Sequence, residues 1–281
     1  KYLGTFMNIF NKFKVYPDKK DLIPFFKKFL FVYICVFIAL FSFQRKVMYF
    51  PNTDSFINSS HWTKINKNNK TIAIKENSKN YSYNVLVFHG NAGNANMKDY
   101  YRLLFPEANI IIAEYPGFGF RSNETLNKEN IIQASSEIVE EVLKDNKPLI
   151  LFGESLGSGV ASEMAVKFKI KNLVLATPYD DISKLAQSKF KFFPIYPFVF
   201  DRYNNDKVLQ QYSGNLVLLI SEFDQVIPNK FAYSLSEKLD NNKNIHKKII
   251  LIKKAGHNTY VSDFTEENRK VLHHFLNLHY N

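Results

Sequence analysis

The pattern Gly153-Glu-Ser155-Leu-Gly157 is the segment best suited to chemistry, because it places a serine between two glycines directly after an apolar run. On a strand–turn–helix bend of this kind the serine hydroxyl is presented from a strained backbone, and the glycines leave room for the adjoining strand and helix. A serine hydroxyl is a poor nucleophile at neutral pH and needs a base beside it. The pattern therefore predicts that Ser155 is a nucleophile, and the alternative is an ordinary helix start with Ser155 near the cap.

A base and an acid that orients it are expected from other parts of the chain. His257, in Ala255-Gly-His257-Asn258, follows the last apolar run and suits the base. The acid is expected after the preceding run, in Ser221-Glu-Phe-Asp224. Alternation points Glu222 and Asp224 the same way, so the pattern alone does not separate them. Asp180 and Asp181 follow another apolar run, and either can be the orienting acid only if their loop folds over Ser155.

Short apolar runs that alternate with helix-length amphipathic stretches predict a parallel sheet covered by helices on both faces. The runs lie at 84–88, 109–114, 149–152, 172–176, 216–220 and 248–252, and weaker strands at 62–65 and 71–75 predict an antiparallel start. Helices are predicted at 128–144, 158–169 and 229–239. Ligands of such sheets bind at the carboxyl ends of the strands, where most of the glycines of this chain fall.

Four motifs in this chain order resemble those of the α/β-hydrolase superfamily over about residues 45–281. They are His89-Gly-Asn-Ala-Gly-Asn94, Glu114-Tyr-Pro-Gly-Phe-Gly119, the serine motif, and the two segments that carry Asp224 and His257. The chain is most similar to single-pass, membrane-anchored α/β-hydrolase-domain proteins with a short lid. The resemblance implies an α/β-hydrolase fold, with a mostly parallel central sheet and helices on both faces. It also implies catalysis by Ser155, Asp224 and His257 without a metal or a cofactor.

The resemblance further implies the donors that stabilise an oxyanion. These are the backbone N–H of Leu156 and the backbone N–H of Asn91, with Ala92 as the alternative because a one-residue shift of the loop exchanges them. It also selects Asp224 over Glu222, since the acid of the family lies four residues before a proline, here Pro228.

The chain departs from the family pattern at two acidic positions. Glu114 replaces a frequent Asp, which is a mild change. Glu154 occupies the variable position before the nucleophile, where His or Arg is common. If Glu154 faces the oxyanion site it disfavours anionic substrates, and if it faces a neighbouring strand it has no such effect.

The run at 29–43 is apolar apart from Ser42 and the hydroxyl of Tyr33, and together with the residues before it predicts a spanning helix of about 20 residues. A buried core helix is disfavoured because no polar face interrupts the run. A cleavable signal peptide is disfavoured because Gln44-Arg45-Lys46 stands where small residues are needed. We therefore predict a basic segment at 1–23, a transmembrane helix at 24–44 and a hydrolase domain at 49–281.

Net charge and cysteine content exclude several classes of protein and site. The chain carries a net charge of +11, but nine of its 37 Lys and Arg residues lie in the first 50, around the apolar run. This distribution is unlike the basic stripe of a nucleic-acid-binding domain. Seven lysines precede the run and two cationic residues follow it, which predicts a cytoplasmic N-terminus and an extracytoplasmic catalytic domain. The single Cys excludes an internal disulfide and paired-CxxC zinc sites.

The stretch at about 180–211 is too short for a large cap domain and is rich in aromatic residues. One interpretation is an apolar lid or acyl pocket that faces the membrane. The other, which we prefer on sequence grounds, is a helix that packs the rings on the core, although two prolines argue against a long helix. The apolar residues are Phe190, Phe192, Phe193, Ile195, Tyr196, Phe198, Val199 and Phe200, and the prolines are Pro194 and Pro197.

The sequence therefore predicts a membrane-anchored serine hydrolase that cleaves acyl esters or thioesters through an acyl-enzyme. The expected substrate is a small molecule, a lipid or an acylated molecule, and no nucleic acid is expected to bind. A serine peptidase, an acyltransferase or a non-catalytic membrane-tethered scaffold are the alternatives, because they share this fold and this nucleophile. Nothing in the sequence specifies the oligomeric state.

Overall fold

The computed structural model describes residues 19–55, 57, 60–77 and 81–278. It divides into two compact units, Lys1–Gln44 and Arg45–Asn281. Most of the predicted basic segment at 1–23 lies outside the described residues.

Helix α1 (Lys19–Met48) contains the apolar run. Its stretch Ile23–Met48 is 26 residues long, or about 39 Å at 1.5 Å per residue, and exceeds the ~30 Å hydrocarbon core of a bilayer. Most apolar side chains between Ile23 and Phe43 are exposed. The length and composition of this helix fit a membrane span, and a signal sequence meets the same criterion.

The second unit is built on an eight-stranded sheet. Its strands are β2 (Trp62–Lys67), β3 (Lys70–Glu76), β4 (Asn84–Phe88), β6 (Asn109–Ala113), β7 (Leu149–Glu154), β8 (Asn172–Ala176), β9 (Gly214–Ser221) and β10 (Ile245–Ile252), and a separate parallel pair consists of β1 (Phe50–Pro51) and β5 (Ala92–Gly93). The order of the strands in the sheet is β10-β9-β8-β7-β4-β6-β3-β2. Strands β10 to β6 in this order are parallel, whereas β3 pairs antiparallel with both β6 and β2. The antiparallel start and the parallel runs are thus confirmed.

Helices cover both faces of the sheet, and each central strand contributes side chains to both cores. Along β7, Leu149 and Leu151 join one hydrophobic cluster while Ile150 and Phe152 join the other. This alternation explains why the strand is apolar throughout. The α-helices of this unit are α2 (Lys128–Leu143), α3 (Leu156–Lys167), α4 (Ile182–Lys189), α5 (Asn205–Val208), α6 (Lys230–Lys238) and α7 (Glu266–Phe275), and the 3₁₀ turns are Ala95–Met97, Asp99–Leu103, Gly119–Arg121, Tyr196–Phe198 and Leu209–Gln211.

The aromatic segment after α4 forms no long helix, as its prolines predicted, but the preferred interpretation that its rings pack on the core is wrong. Of the eight apolar residues only Val199 is buried, at 7% exposure, while Phe192 is 87% exposed. The backbone instead wraps around the side chain of Gln187, which donates to the carbonyl of Phe193 (2.9 Å) and accepts from the N–H of Tyr196 (3.1 Å). Polar bonds to the backbone therefore hold a short lid in which Phe192, Tyr196, Phe198 and Phe200 are exposed and the other two rings are half-buried.

A buried carboxylate joins this lid to the residues that follow the apolar run. Asp201, 4% exposed, accepts from Arg45 Nε (3.1 Å) and Arg45 Nη2 (3.2 Å) and from the hydroxyl of Tyr49 (3.0 Å). Burial, and then the charge of Asp201, raises the pKa of Tyr49, so this hydroxyl stays a donor. Charge-assisted bonds of this kind tie the start of the second unit to the end of the aromatic segment.

Glu114 lies buried after β6 and joins two loops at the carboxyl edge of the sheet. Its carboxyl group accepts from the N–H groups of Ala95 (3.3 Å) and Phe120 (3.4 Å), and burial raises its pKa to about 7. His89 Nε2 lies 4.0 Å from Glu114 Oε1, but burial lowers the pKa of His89 to about 3, so this contact is not an ion pair at neutral pH. A Cβ on Gly119 would lie 2.1 Å from Glu114 Oε2, so that position needs glycine.

Glu114 makes stability depend on pH. Its pKa is 4.5 in the unfolded reference and about 7 in the fold, so the folded chain keeps a proton that the unfolded chain loses between these values. The free energy of unfolding therefore falls as pH rises through this window. We expect Glu114→Gln, which is neutral throughout, to gain on the order of 1–3 kcal/mol relative to wild type between pH 4.5 and pH 8.

Urea unfolding of the detergent-solubilised chain at both pH values measures this difference. Glu267→Gln is the matched control, because the carboxyl group of Glu267 is exposed on α7. A Glu114→Gln advantage that is the same at both pH values contradicts the prediction.

Candidate active site

Ser155 stands alone between β7 and α3 and has a strained backbone, with φ 53° and ψ −117°. Its N–H donates to the carbonyl of Ala176 in β8 (2.9 Å), which holds the bend. The helix can begin this close to the sheet because position 157 is glycine. A Cβ on Gly157 would lie 2.0 Å from the carbonyl oxygen of Phe88 in β4. The local structure is therefore the predicted elbow.

The structure brings His257 and Asp224 to this serine. His257 Nε2 lies 3.1 Å from Ser155 Oγ, and His257 Nδ1 lies 2.7 Å from Asp224 Oδ2. The other carboxylate oxygen of Asp224 accepts from the N–H groups of Val226 (2.9 Å) and Ile227 (2.7 Å). These backbone donors orient the carboxylate, and the carboxylate in turn orients the imidazole.

The competing acids have other partners. Glu222 Oε2 accepts from the N–H of Lys254 (2.8 Å), so it holds the start of the loop that carries His257. Asp180 pairs with Lys238 and accepts from Ser234 (3.0 Å). Asp181 caps α4 by accepting from the N–H of Ser183 (2.7 Å). Backbone N–H groups and a lysine thus bind the carboxylates of these three acids, and Asp224 is the acid that bonds to His257.

The two predicted oxyanion donors lie on elements next to the elbow. Leu156 is the first residue of α3, where backbone N–H groups have no intrahelical acceptor. Asn91 follows β4, and its carbonyl accepts from the N–H of Phe50 (2.8 Å) while its side chain donates to the carbonyl of Met48 (2.8 Å). The strand that follows α1 therefore holds this loop. The choice between Asn91 and Ala92 stays a prediction.

Glu154, directly before the serine, is buried in a cage of tyrosine hydroxyls that the sequence pattern did not identify. Glu154 Oε2 accepts from Tyr101 (2.5 Å), Tyr100 (2.9 Å) and Tyr260 (2.9 Å). Its other oxygen lies on the side of Gly90, where a Cβ would be 3.0 Å away. Residues 100, 101 and 260 follow no shared spacing, so only the folded chain shows that they converge. Glu154 therefore lies at the junction of three loops of the site.

Across residues 19–55, 57, 60–77 and 81–278 there is no group of three or more His, Cys, Asp or Glu side chains that could hold a metal ion.

No protein-family model matches the chain. An uncharacterized protein of Acanthamoeba polyphaga mimivirus is 27% identical over 216 residues, which cover 69% of this chain and 72% of that protein. The lysophosphatidylserine lipase ABHD12 of Bos taurus is 24% identical over 181 residues, which cover 56% of this chain and 44% of that protein. The chain thus matches less than half the length of the bovine relative.

Solved structures share the fold over most of the second unit. An esterase from Pyrococcus furiosus superimposes with a TM-score of 0.59 at 17% identity and covers 82% of this chain and 97% of that one. Further matching structures include esterases, hydrolases and one putative bromoperoxidase. The strand order and these likenesses together show that the chain has the α/β-hydrolase fold.

Proposed function

We propose that this chain is a serine hydrolase that cleaves acyl ester or thioester bonds through an acyl-enzyme. The observation that carries the proposal is the row of contacts from Ser155 Oγ to His257 Nε2 (3.1 Å) and from His257 Nδ1 to Asp224 Oδ2 (2.7 Å). Both distances are within hydrogen-bond reach, which a nucleophile and its general base need. Fold neighbours that are esterases and hydrolases support the same reaction class.

In the proposed mechanism His257 Nε2 takes the proton of Ser155 as Oγ attacks the acyl carbon. Asp224 stabilises the resulting imidazolium, and the N–H groups of Leu156 and Asn91 stabilise the oxyanion. The bond to the leaving group breaks as the imidazolium returns the proton to the departing alkoxide or thiolate. Water, deprotonated by His257, then attacks the acyl-enzyme, and the acid leaves as Ser155 regains its proton.

The names of the relatives favour cleavage of an ester over peptide cleavage, acyl transfer or a non-catalytic role. The bovine relative is a lysophosphatidylserine lipase and the structural neighbours include esterases. A peptidase or an acyltransferase would use the same three side chains, and a scaffold would not need them. Fluorophosphonate labelling separates the scaffold from the enzymes, and relative rates on esters and amides separate the esterase from the peptidase.

We infer that the second unit works at a membrane surface, on lipid or acylated substrates. The helix Ile23–Met48 has the length and composition of a span, and Arg45 near its end is bound to Asp201. Asp201 directly follows exposed Phe200, and Phe198 is exposed as well. Aromatic rings beside a basic residue suit the interface of a bilayer. The excess of lysines before the apolar run supports an extracytoplasmic hydrolase unit.

Labelling with a fluorophosphonate probe tests the nucleophile. We expect the wild-type chain to be labelled and Ser155→Ala to lose labelling by at least 100-fold, because Ser155 Oγ is the hydroxyl that lies at His257 Nε2 within the described part of the chain. The matched control is Ser162→Ala, because Ser162 is also buried but its Oγ donates to the carbonyl of Ser158, one turn further along α3. A folded wild type that stays unlabelled supports the scaffold instead.

A series of acyl esters from two to sixteen carbons tests the acyl preference. We expect kcat/KM to rise about tenfold or more from short to medium chains, because each buried methylene contributes about 0.8 kcal/mol. Equal rates for all chain lengths would show that the exposed aromatic lid forms no acyl-binding surface. Preference for an amide of equal acyl length would favour the peptidase.

Substitution of the exposed rings tests the membrane surface. We expect Phe198→Ser with Phe200→Ser to lower hydrolysis of a long-chain ester in phosphatidylcholine vesicles severalfold, with hydrolysis of a soluble short ester unchanged. The reason is that the loss of apolar area weakens interfacial contact. Leu103→Ser removes an exposed apolar side chain elsewhere and is the control. An equal loss on both substrates, or on neither, contradicts the prediction.

A further inference from the structure

The loop that carries His257 is attached to the rest of the unit on both sides of the histidine. Before His257, the carbonyl of Ala255 accepts from the N–H of Phe223 (2.8 Å), which ties the loop to the Asp224 turn. After His257, the hydroxyl of Tyr260 donates to Glu154 Oε2 (2.9 Å). The bond between the N–H of Gly256 and Thr259 Oγ1 (2.9 Å) is local to the loop. Among the described residues, the Tyr260 bond is therefore the polar tie between this loop and the nucleophile elbow that does not involve the reacting side chains themselves.

The carboxylate of Glu154 can anchor the side chain of Tyr260 because two other tyrosine hydroxyls hold this carboxylate in place. Tyr100 and Tyr101 donate to the same oxygen from the 3₁₀ turn Asp99–Leu103. Burial, and then the charge of Glu154, raises the pKa values of Tyr101 and Tyr260 well above the ordinary value, so their hydroxyls stay donors. Within the described part of the chain no Lys or Arg forms an ion pair with Glu154. The tyrosine hydroxyls are thus the partners of this buried carboxylate, and a buried carboxylate without partners is costly.

Glu154 is also covalently next to the nucleophile. The tyrosine bonds to its carboxylate therefore hold the residue that precedes Ser155, whose own backbone conformation is strained. Tyr260 is three residues from His257, so the bond between Glu154 and Tyr260 joins the two chain segments whose reactive atoms lie 3.1 Å apart. Proton transfer depends steeply on this separation, and a misplacement of about 1 Å costs up to about 100-fold in rate.

We propose that Glu154 and Tyr260 are positioning residues that hold the His257 loop at hydrogen-bonding distance from Ser155. This inference rests on the proposed function, because it concerns how that nucleophile and base are kept together. Glu154 touches neither the acyl group nor the imidazole in this role. It acts through the hydroxyl of Tyr260, while Tyr100 and Tyr101 keep the carboxylate in place.

Two tyrosine variants test the inference in the full chain. Tyr260→Phe and Tyr100→Phe each remove one hydroxyl from the same carboxylate oxygen, but only the first acts on the loop of His257. With p-nitrophenyl acetate as substrate, we expect Tyr260→Phe to lower kcat at least tenfold with KM within about twofold. We expect Tyr100→Phe to lower kcat by no more than about twofold. The thermal unfolding midpoints of the two variants should be similar, since each loses one hydroxyl donor to the same carboxylate oxygen.

Equal kcat values in the two variants overturn the inference, because the cage would then serve stability alone. If Tyr260→Phe does not fold, Glu154→Gln takes its place, since it keeps the size of the side chain and loses the charge that strengthens the bond. A tenfold lower kcat at unchanged KM in Glu154→Gln supports the inference, and a wild-type kcat overturns it. A wild type without Ser155-dependent labelling by the fluorophosphonate probe overturns the proposed function as well, whereas labelling with equal variants overturns the positioning role alone.

Discussion

The close approach of α3 to β4 is the constraint on which the rest of the site depends. The carbonyl of Phe88 occupies the space that a side chain at position 157 would need, so the helix begins directly after the strand and Ser155 is forced into a left-handed conformation. Such strain costs of order 1–3 kcal/mol and persists only where the surroundings over-determine it. Here the bond from the N–H of Ser155 to the carbonyl of Ala176 and the packing of α3 on the sheet supply that support. Parallel strands then bring the loops after β4, β9 and β10 to the same edge.

The acids around this edge have different partners, and these partners explain their different positions. Asp224 is turned by two backbone N–H groups toward His257, and Glu222, two residues earlier, is turned by the N–H of Lys254. Glu114 is the least compensated, since its partners are two long bonds from backbone, and its pKa is raised. Glu154 has three hydroxyl donors on one oxygen. Carboxyl groups within a small region thus have distinct environments because each loop supplies its own donors.

The strands, the elbow and the helical face of α2 could be predicted from the sequence because each depends on local periodicity or on residues a few positions apart. Within the predicted helix at 128–144, Ile131, Ile138 and Val142 lie seven and four residues apart, which places them on one helical face, and all three are buried. The arrangement of the lid could not be predicted, because apolar composition does not reveal that the backbone wraps around Gln187 and leaves most of the rings exposed. The tyrosine cage was equally out of reach, since its members lie up to 160 residues apart and follow no pattern. The separation of Glu222 from Asp224 needed the resemblance, because the alternation of the sequence predicts the same side for both, whereas the structure places both in the turn after β9.

The salt bridge between Arg45 and Asp201 has a consequence for how the chain is made. The two residues are 156 positions apart, and Tyr49 is 152 positions from the same carboxylate. During synthesis from the N-terminus, Arg45 and Tyr49 emerge first, and six of the eight strands of the sheet are complete before Asp201 leaves the ribosome. The contacts of Asp201 with Arg45 and Tyr49 therefore form only after most of the sheet and the lid have been synthesised.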